Sequence, residues 1–223
     1  MKRTPLRERT LPRYTRGEEI FNMVSHIAGG GISVIAAAVM VIYSALYGDV
    51  WSIVGAAIFS AALLAVYTVS GVYHGLSIGT AKKVMQVIDH CMIYFLRAGT
   101  YTPIVLSAVR RESPVTAWVV FGIEWGLAAL AATLTAVDLK KYNKFSFICY
   151  IGMGWTAIIV LPQTVRALTL SGFLWILAGG VFYTVGAVFF GVGKKIKYMH
   201  SVFHLFVVLG SLCHVVGVTA YAL

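Results

Sequence analysis

The stretch that decides the fold is MHSVFHLFVVLGSLCHVVGVTAY, which runs from Met199 to Tyr221. It is long enough to cross a bilayer as a helix, because a transmembrane helix needs about 20 apolar residues. It nevertheless carries His200, His204 and His214. A histidine inside a lipid-spanning helix is unfavourable unless it faces protein, water or an ion. The stretch therefore predicts a membrane helix whose histidines face the interior of a bundle.

The first two of these histidines are four residues apart, so they share one helical face one turn apart. This spacing lets two imidazoles reach a single metal ion, as it does in the HExxH helix of zinc proteases. Taken alone, the pair also fits two packing histidines in a helix interface. The choice between a metal site and a packing pair depends on which polar residues the other spans place at the same depth in the membrane.

Composition places the chain among membrane proteins. Its 223 residues are 59% hydrophobic and only 12% charged, whereas a soluble domain is about one quarter charged. The net charge of +10 fits basic residues in short loops, which set the orientation of membrane proteins. We therefore predict membrane lipids as the partners and no binding of nucleic acid. The sequence does not identify a protein partner.

Seven apolar runs follow a basic tail. Residues 1–17 are predicted to be a flexible cytoplasmic tail, and residues 18–223 a single seven-helix transmembrane domain. Because the first run is longer than the 7–15 residues of a signal peptide, we expect it to be a retained span. Pro103 and Pro162 are expected to kink spans 3 and 5. The runs cover about 24–47, 51–73, 84–108, 115–137, 145–165, 170–191 and 199–221.

The orientation follows from the distribution of lysine and arginine. The tail and the loops after spans 2, 4 and 6 carry fourteen of them. The opposite side has only Arg110, Arg111 and Arg166. The positive-inside rule then predicts an all-α bundle with its N-terminus in the cytoplasm and its C-terminus outside.

This orientation brings the unusual polar residues of four spans to the cytoplasmic leaflet. Chance scatter would not put all of them at one depth. The set consists of Glu19, Asn22 and His26 in span 1, Ser70 and His74 in span 2, Asp89 and His90 in span 3, and His200 and His204 in span 7.

A three-histidine metal site is the chemistry that this set predicts. His74, His200 and His204 supply three nitrogens, and three protein ligands plus water is the catalytic zinc pattern. Ni, Co and Fe(II) also suit such ligands. Asp89 would bind the metal directly or through water, or act as a general base. Ser70 would donate a hydrogen bond to a developing oxyanion or to the metal-bound water.

A family resemblance joins these motifs. The chain resembles the hemolysin III family, within the superfamily of progestin and adipoQ receptors and alkaline ceramidases. The matching motifs are E-x-x-N at Glu19 to Asn22 followed by Ser25-His26, S-x-x-x-H at Ser70 to His74, Asp89-His90, A-G-T-Y-T-P at Ala98 to Pro103, and H-x-x-x-H at His200 to His204.

The resemblance implies a seven-span fold, a cytoplasmic N-terminus and zinc held by the three histidines. The receptor and ceramidase branches suggest hydrolysis of a lipid amide, so we expect a zinc-dependent lipid amide or ester hydrolase in the bacterial inner (plasma) membrane. The alternative is a non-catalytic regulator of membrane state, a receptor-like protein or a cytolysin, with a structural zinc. Neither the lipid nor the oligomeric state follows from the sequence.

One departure from the family pattern is Arg97, which stands where the family has an apolar residue. It lies eight residues beyond Asp89, about 12 Å deeper at 1.5 Å per residue. Glu124 in span 4 lies at a similar depth, and a buried charge needs a partner. We therefore predict an Arg97–Glu124 ion pair. The alternative is that Arg97 faces a water-filled cavity and meets an anionic headgroup.

The remaining polar residues of the set receive supporting roles. His26 and His90 are expected to form hydrogen bonds around the metal ligands. His214 lies about 15 Å from His204 along the helix, too far for the same ion, and is expected to hydrogen-bond a neighbouring span. Glu19 and Asn22 are expected to cap span 1 and to tie it to the bundle.

Overall fold

The computed structural model describes residues 4–193 and 195–223, and within them it is all-helical, 86% helix without a strand. A 3₁₀ turn, Leu6–Glu8, precedes the helices, and a π-helical stretch, Ile104–Val109, joins α3 to α4. The helices are α1 (Arg16–Tyr47), α2 (Val50–Gly75), α3 (Thr80–Pro103), α4 (Arg110–Glu112), α5 (Pro114–Val137), α6 (Asn143–Gly154), α7 (Thr156–Ile159), α8 (Leu161–Val192) and α9 (Met199–Tyr221).

Six helical segments of the described chain are long and apolar enough to cross a membrane. The prediction of a multi-pass helical membrane protein is therefore confirmed, whereas the count of seven spans is not. The six segments are Arg16–Tyr47, Val50–Gly75, Thr80–Glu112, Pro114–Val137, Leu161–Val192 and Met199–Tyr221.

The fifth predicted span, 145–165, is the one that does not form a continuous helix. Trp155 and Val160 leave helical geometry, so α6, α7 and α8 follow one another as separate helices. Pro162 lies in the first turn of α8. Backbone N–H groups in this turn have no partner within the helix, so the lack of an N–H in proline costs no helical hydrogen bond. Span 5 is therefore interrupted just before Pro162, as predicted, but by a break at Val160 that starts a new helix. Within α8, Thr169 has φ 61° and ψ 168°, which interrupts the helix between the fifth and sixth predicted spans.

Helix α3 lies at the centre of the bundle. It is the least apolar of the six candidate spans and also the most buried. Its polar residues, Asp89, His90 and Arg97, explain this position, because such side chains must face protein or a cavity inside a membrane. After Pro103 the helix changes to π geometry, as proline removes one backbone hydrogen bond. Helix α3 packs against α2, α5 and α6.

Small residues bring α2 and α3 into close contact, as they do in many membrane bundles. A Cβ atom on Gly55 would lie 2.7 Å from the Pro103 Cα atom. A Cβ atom on Gly99 would lie 2.6 Å from the Ala62 Cβ atom. Any larger side chain at these glycines would push α2 and α3 apart. The residues that the two helices contribute to one end of the bundle would then move apart as well.

The substitution Gly55→Ala tests this contact. We expect it to destabilise the fold by about 1–3 kcal/mol, because the added methyl meets backbone that has no room to move. Gly126→Ala is the matched control, since nothing lies within 4 Å of its added Cβ. The control should be neutral or slightly stabilising, because alanine favours helix over glycine. Thermal unfolding of both variants in one detergent measures the difference, and equal midpoints would contradict the close packing.

The N-terminal segment (residues 4–15) lies against one end of the bundle. The Thr4 backbone N–H donates to Asp138 Oδ2 at 2.9 Å, and Lys83 Nζ donates to the Arg7 carbonyl at 2.6 Å. The hydrogen bond from Thr4, with a second from the loop after α5, lowers the pKa of Asp138 to about 2. These contacts cover much of the predicted tail 1–17; its flexibility stays a prediction.

Candidate metal centre

Three histidines from two helices meet at this end of the bundle. His74 comes from the last turn of α2, and His200 and His204 come from the first turns of α9. One ring nitrogen from each lies within 4.8 Å of the other two, and all three side chains are buried. The Nε2 atoms of His200 and His204 are 3.0 Å apart. The structure thus brings together the three residues that the sequence predicts as ligands.

The hydrogen-bonding state of the cluster fits a metal ion. His74 Nδ1 lies 2.7 Å from Glu19 Oε2, and because a carboxylate only accepts, Nδ1 carries the proton. His74 Nε2 then has a lone pair, and it is buried without a hydrogen-bond partner. A buried nitrogen without a partner is rare in proteins. Converging imidazole nitrogens are the donors that zinc, copper, iron and nickel prefer, so the cluster could hold a metal ion.

The turn before α9 fixes where His200 points. Tyr198 has a left-handed backbone, φ 63°, and its N–H donates to Glu18 Oε1 at 2.7 Å. Glu18 also forms the capping box of α1 with Thr15, whose N–H donates to Glu18 Oε2 at 2.8 Å. One carboxylate therefore joins the start of α1 to the start of α9. This link holds the first turn of α9, and hence His200, beside the end of α2.

Glu19 lies next to the site and does not cap a helix. Since α1 begins with the Thr15–Glu18 capping box, the prediction that Glu19 and Asn22 cap span 1 is wrong. The prediction that Glu19 ties span 1 to the bundle is confirmed. Glu19 Oε2 accepts from His74, and Glu19 Oε1 lies 2.9 Å from Lys82 Nζ. A carboxylate on the second nitrogen of a ligating histidine fixes its tautomer and orientation. Sequence reasoning missed this role, and it counted Lys82 only as a loop charge.

Tyr14 of the N-terminal segment covers the cluster from the outside. Its ring stacks on His200 with centroids 4.7 Å apart and planes at 19°, and it lies 5.8 Å from the His74 ring. Burial raises the pKa of the Tyr14 phenol, and the nearby carboxylates of Glu19 and Asp89 raise it further. The phenol therefore stays neutral and keeps its proton. Nothing in the sequence of the tail indicated this contact.

A cavity of about 390 Å³ adjoins the histidines. Ser70 and Asp89 both line it, together with His200 and His204. Asp89 is not in the group of ring nitrogens that converge within 4.8 Å, and its binding to a metal, directly or through water, stays a prediction. The rest of the lining is largely apolar and includes Val66, Ile93, Leu96, Phe147, Phe203 and Val207.

Arg97 lines the deep part of the same cavity. Its Cζ atom lies 4.2 Å from the centroid of the Tyr183 ring, and it forms no ion pair with Glu124. The predicted pair is wrong because the break between α6 and α7 lies between the two residues. Gly154 contacts the guanidinium, and Thr156 donates to Glu124 Oε1 at 2.6 Å. The alternative, that Arg97 faces a cavity, is confirmed; an anionic headgroup there stays a prediction.

His26 and His214 do not form the hydrogen bonds predicted for them. Both ring nitrogens of His26 and of His214 are buried without a partner. His26 packs on the His204 ring at 3.9 Å between centroids, and His214 packs on Tyr183 at 5.2 Å. His90 Nδ1 lies 2.8 Å from the carbonyl of Gln86 in its own helix. His26 therefore supports the cluster by ring contact.

Fold and site together define a multi-pass helical membrane protein with a buried three-histidine cluster that could hold a metal ion. The profile of one family, described as Haemolysin-III related, matches residues 14–215. The chain belongs to this family.

Its relatives include bacterial and animal proteins. It is 33% identical over 194 residues to Hemolysin-3 of Bacillus cereus, which covers 87% of each chain. It is 34% identical over 198 residues to the Hemolysin-3 homolog of Bacillus subtilis (strain 168), with 89% of this chain and 91% of the relative covered. Monocyte to macrophage differentiation factor of Homo sapiens is 27% identical over 183 residues, covering 79% of this chain and 74% of the relative.

Proposed function

We propose that the protein is a zinc-dependent hydrolase that cleaves an amide or ester bond of a membrane lipid. One observation carries this proposal: His200 and His204 of the three-histidine cluster line a largely apolar cavity that Ser70 and Asp89 also line. Catalytic zinc sites use three protein ligands and leave a position for water, whereas structural sites usually have four. Only three residues converge here among those that the structure describes.

His74, His200 and His204 would hold the zinc ion. Zinc, when bound, would supply a Lewis acid that lowers the pKa of a water molecule to about 7. The Glu19 carboxylate keeps His74 in the tautomer that presents Nε2. Zinc is proposed in preference to the other imidazole-binding metals because hydrolysis needs no redox change.

The two remaining polar residues of the cavity have roles in proton transfer and charge stabilisation. The Asp89 carboxylate would accept the proton of the attacking water and pass it to the leaving group, as a general base and then a general acid. The Ser70 hydroxyl would donate a hydrogen bond to the carbonyl oxygen as it gains negative charge. Both residues line the cavity next to His200 and His204, which supports these roles.

The apolar part of the cavity supports a lipid substrate. Its volume of about 390 Å³ lies within the range of about 300–1,000 Å³ that is typical of small-molecule sites. A lipid would place its carbonyl at the histidines and its acyl chain along the apolar lining. Phe147 and Ile148 of α6 are partly exposed on the outside of the bundle and also line the cavity, which supports entry from the membrane.

For the topology we infer seven crossings with the N-terminus in the cytoplasm. The segment 143–168, which comprises α6, α7 and the start of α8, would form the fifth crossing before the break at Thr169. The N-terminal segment and the loop after α5 share the end of the bundle that holds the histidines, and both are basic, as cytoplasmic segments are. The Bacillus relatives support the plasma membrane of a bacterium as the location.

The test is hydrolysis by purified protein in detergent. N-acyl and O-acyl lipids, fluorescent ceramide among them, are incubated with protein as isolated, with protein stripped by a chelator, and with stripped protein after addition of Zn²⁺ or Mg²⁺. We expect release of the free acid, its loss on stripping and its return with Zn²⁺ alone, because hard Mg²⁺ prefers oxygen ligands to imidazole. Folded, zinc-loaded protein that releases no acid would contradict the proposal. The zinc would then serve to join α2 to α9.

A further inference from the structure

We propose that Lys82 is a positioning residue of the metal site, which acts on His74 through Glu19. The inference rests on the proposed metal site, and it adds a residue that no motif of the sequence contains. Lys82 lies in the first turn of α3 and is only 2% exposed. A lysine this buried needs a specific partner. Its partner here is the carboxylate that hydrogen-bonds the ring of His74.

The two oxygens of Glu19 have different partners. Oε1 lies 2.9 Å from Lys82 Nζ, and Oε2 lies 2.7 Å from His74 Nδ1. A glutamate held by one hydrogen bond keeps much of its rotational freedom, whereas one held through both oxygens has a fixed carboxylate plane. Lys82 therefore fixes the direction in which Oε2 accepts from His74. The His74 ring is fixed in turn, with Nε2 towards His200 and His204.

Lys82 also joins three helices at the site. From α3 its Nζ contacts Glu19 in α1, and it donates to the carbonyls of Leu76 at 2.9 Å and His74 at 3.5 Å, at the end of α2. Its ammonium lies 5.0 Å from the centroid of the Tyr73 ring, which offers a further favourable contact for a buried cation. A metal ligand on the last turn of a helix needs such support, because helix ends fray.

A purely structural role is the alternative reading of these contacts. A cation at a helix C-terminus stabilises the last carbonyls whether or not a metal binds nearby. In that case the loss of Lys82 would loosen α2 independently of Glu19. If Lys82 instead acts through Glu19, the effects of losing the two residues overlap, and a double-mutant cycle measures this overlap.

The experiment is a Co²⁺ titration of the full chain in detergent, after removal of metal with a chelator. The visible absorption of Co²⁺ reports its coordination, and competition with a chelating dye gives its affinity. We compare wild type, Glu19→Gln, Lys82→Met and the double variant. Lys82→Arg retains a cation, and Lys83→Met is the matched control, since Lys83 donates to the Arg7 carbonyl in the N-terminal segment.

We expect Glu19→Gln to weaken Co²⁺ binding about 10–100-fold, the usual effect of losing the group that orients a ligating histidine. Lys82→Met should weaken it about 10-fold and alter the absorption bands, because the His74 ring is then free to turn. The double variant should bind Co²⁺ no more than about twofold more weakly than Glu19→Gln. If Lys82 acts only through Glu19, its loss has no further effect once Glu19 has been replaced. Lys82→Arg should restore most of the affinity, and Lys83→Met should match wild type.

Three results in the variants would overturn the inference: fold-changes that multiply in the double variant, wild-type affinity in Lys82→Met, or no recovery in Lys82→Arg when that variant unfolds like wild type. The hydrolase proposal is tested separately by turnover. If the effects of Glu19→Gln and Lys82→Met on Co²⁺ affinity overlap but wild type hydrolyses no lipid, the role of Lys82 stands and the hydrolase proposal is wrong. Folded wild-type protein that binds no Co²⁺ would contradict both the role of Lys82 and the hydrolase proposal.

Discussion

Replacement of His200 by alanine is expected to abolish metal binding, while wild-type protein purifies with about one zinc ion per chain. The reason is geometric, since His200 and His204 bring their Nε2 atoms to 3.0 Å of each other and His74 completes the cluster. Two histidines on different helices would remain in the variant, and two ligands do not make a stable protein zinc site. Mass spectrometry of metal content after detergent purification measures the change.

His214→Ala is the matched control for this prediction. It removes a buried histidine from the same helix, fourteen residues further on, whose ring packs on Tyr183 away from the cluster. It should keep the metal. Zinc retained in His200→Ala, or well-folded wild type without any metal, would show that the cluster is a packing arrangement of histidines.

The parts of the site that could be predicted from the sequence depend on local rules. A helical repeat puts His200 and His204 on one face, and the low polarity of a membrane confines polar residues to the interior. The orientation rule then puts His74 and Asp89 at the same depth. These rules act along the membrane normal, so they predict well how deep each residue lies in the membrane.

These rules do not predict the direction in which a side chain points around the axis of its helix. Arg97 and Glu124 have similar predicted depths, yet Arg97 lies beside Gly154 at the end of α6 and Glu124 accepts from Thr156 at the start of α7. The break at Trp155 escaped prediction because residues 145–165 are predominantly apolar and carry no charge. Hydropathy measures length and polarity, and it does not detect where backbone geometry leaves the helix.

Contacts between distant segments account for the residues that sequence reasoning missed. Tyr14 precedes the first span, and its stacking on His200 depends on how the N-terminal segment folds back over the bundle. Lys82 resembles any basic loop residue until its distance of 2.9 Å from Glu19 is known. Such tertiary pairs have no spacing signature in a single sequence, because the partners lie on different helices.

Replacement of Asp89 by asparagine is expected to lower lipid hydrolysis by about 10²–10⁴-fold, the usual contribution of a general acid–base group. An amide has nearly the shape of a carboxylate, and it does not accept a proton at neutral pH. Zinc content should stay near that of wild type, because Asp89 is outside the group of converging ligand atoms. Turnover of an N-acyl lipid and metal analysis of the same preparation separate these two effects.

The control for this substitution is Asp49→Asn, which changes an aspartate at the other end of the bundle. Asp49 caps α2 through Ser52 and pairs with Arg110 at 2.7 Å, and asparagine caps helices about as well as aspartate does. This variant should hydrolyse lipid at the wild-type rate. Loss of zinc together with activity in Asp89→Asn would instead make the carboxylate a fourth ligand, and a site closed by four residues would favour a structural metal over a catalytic one.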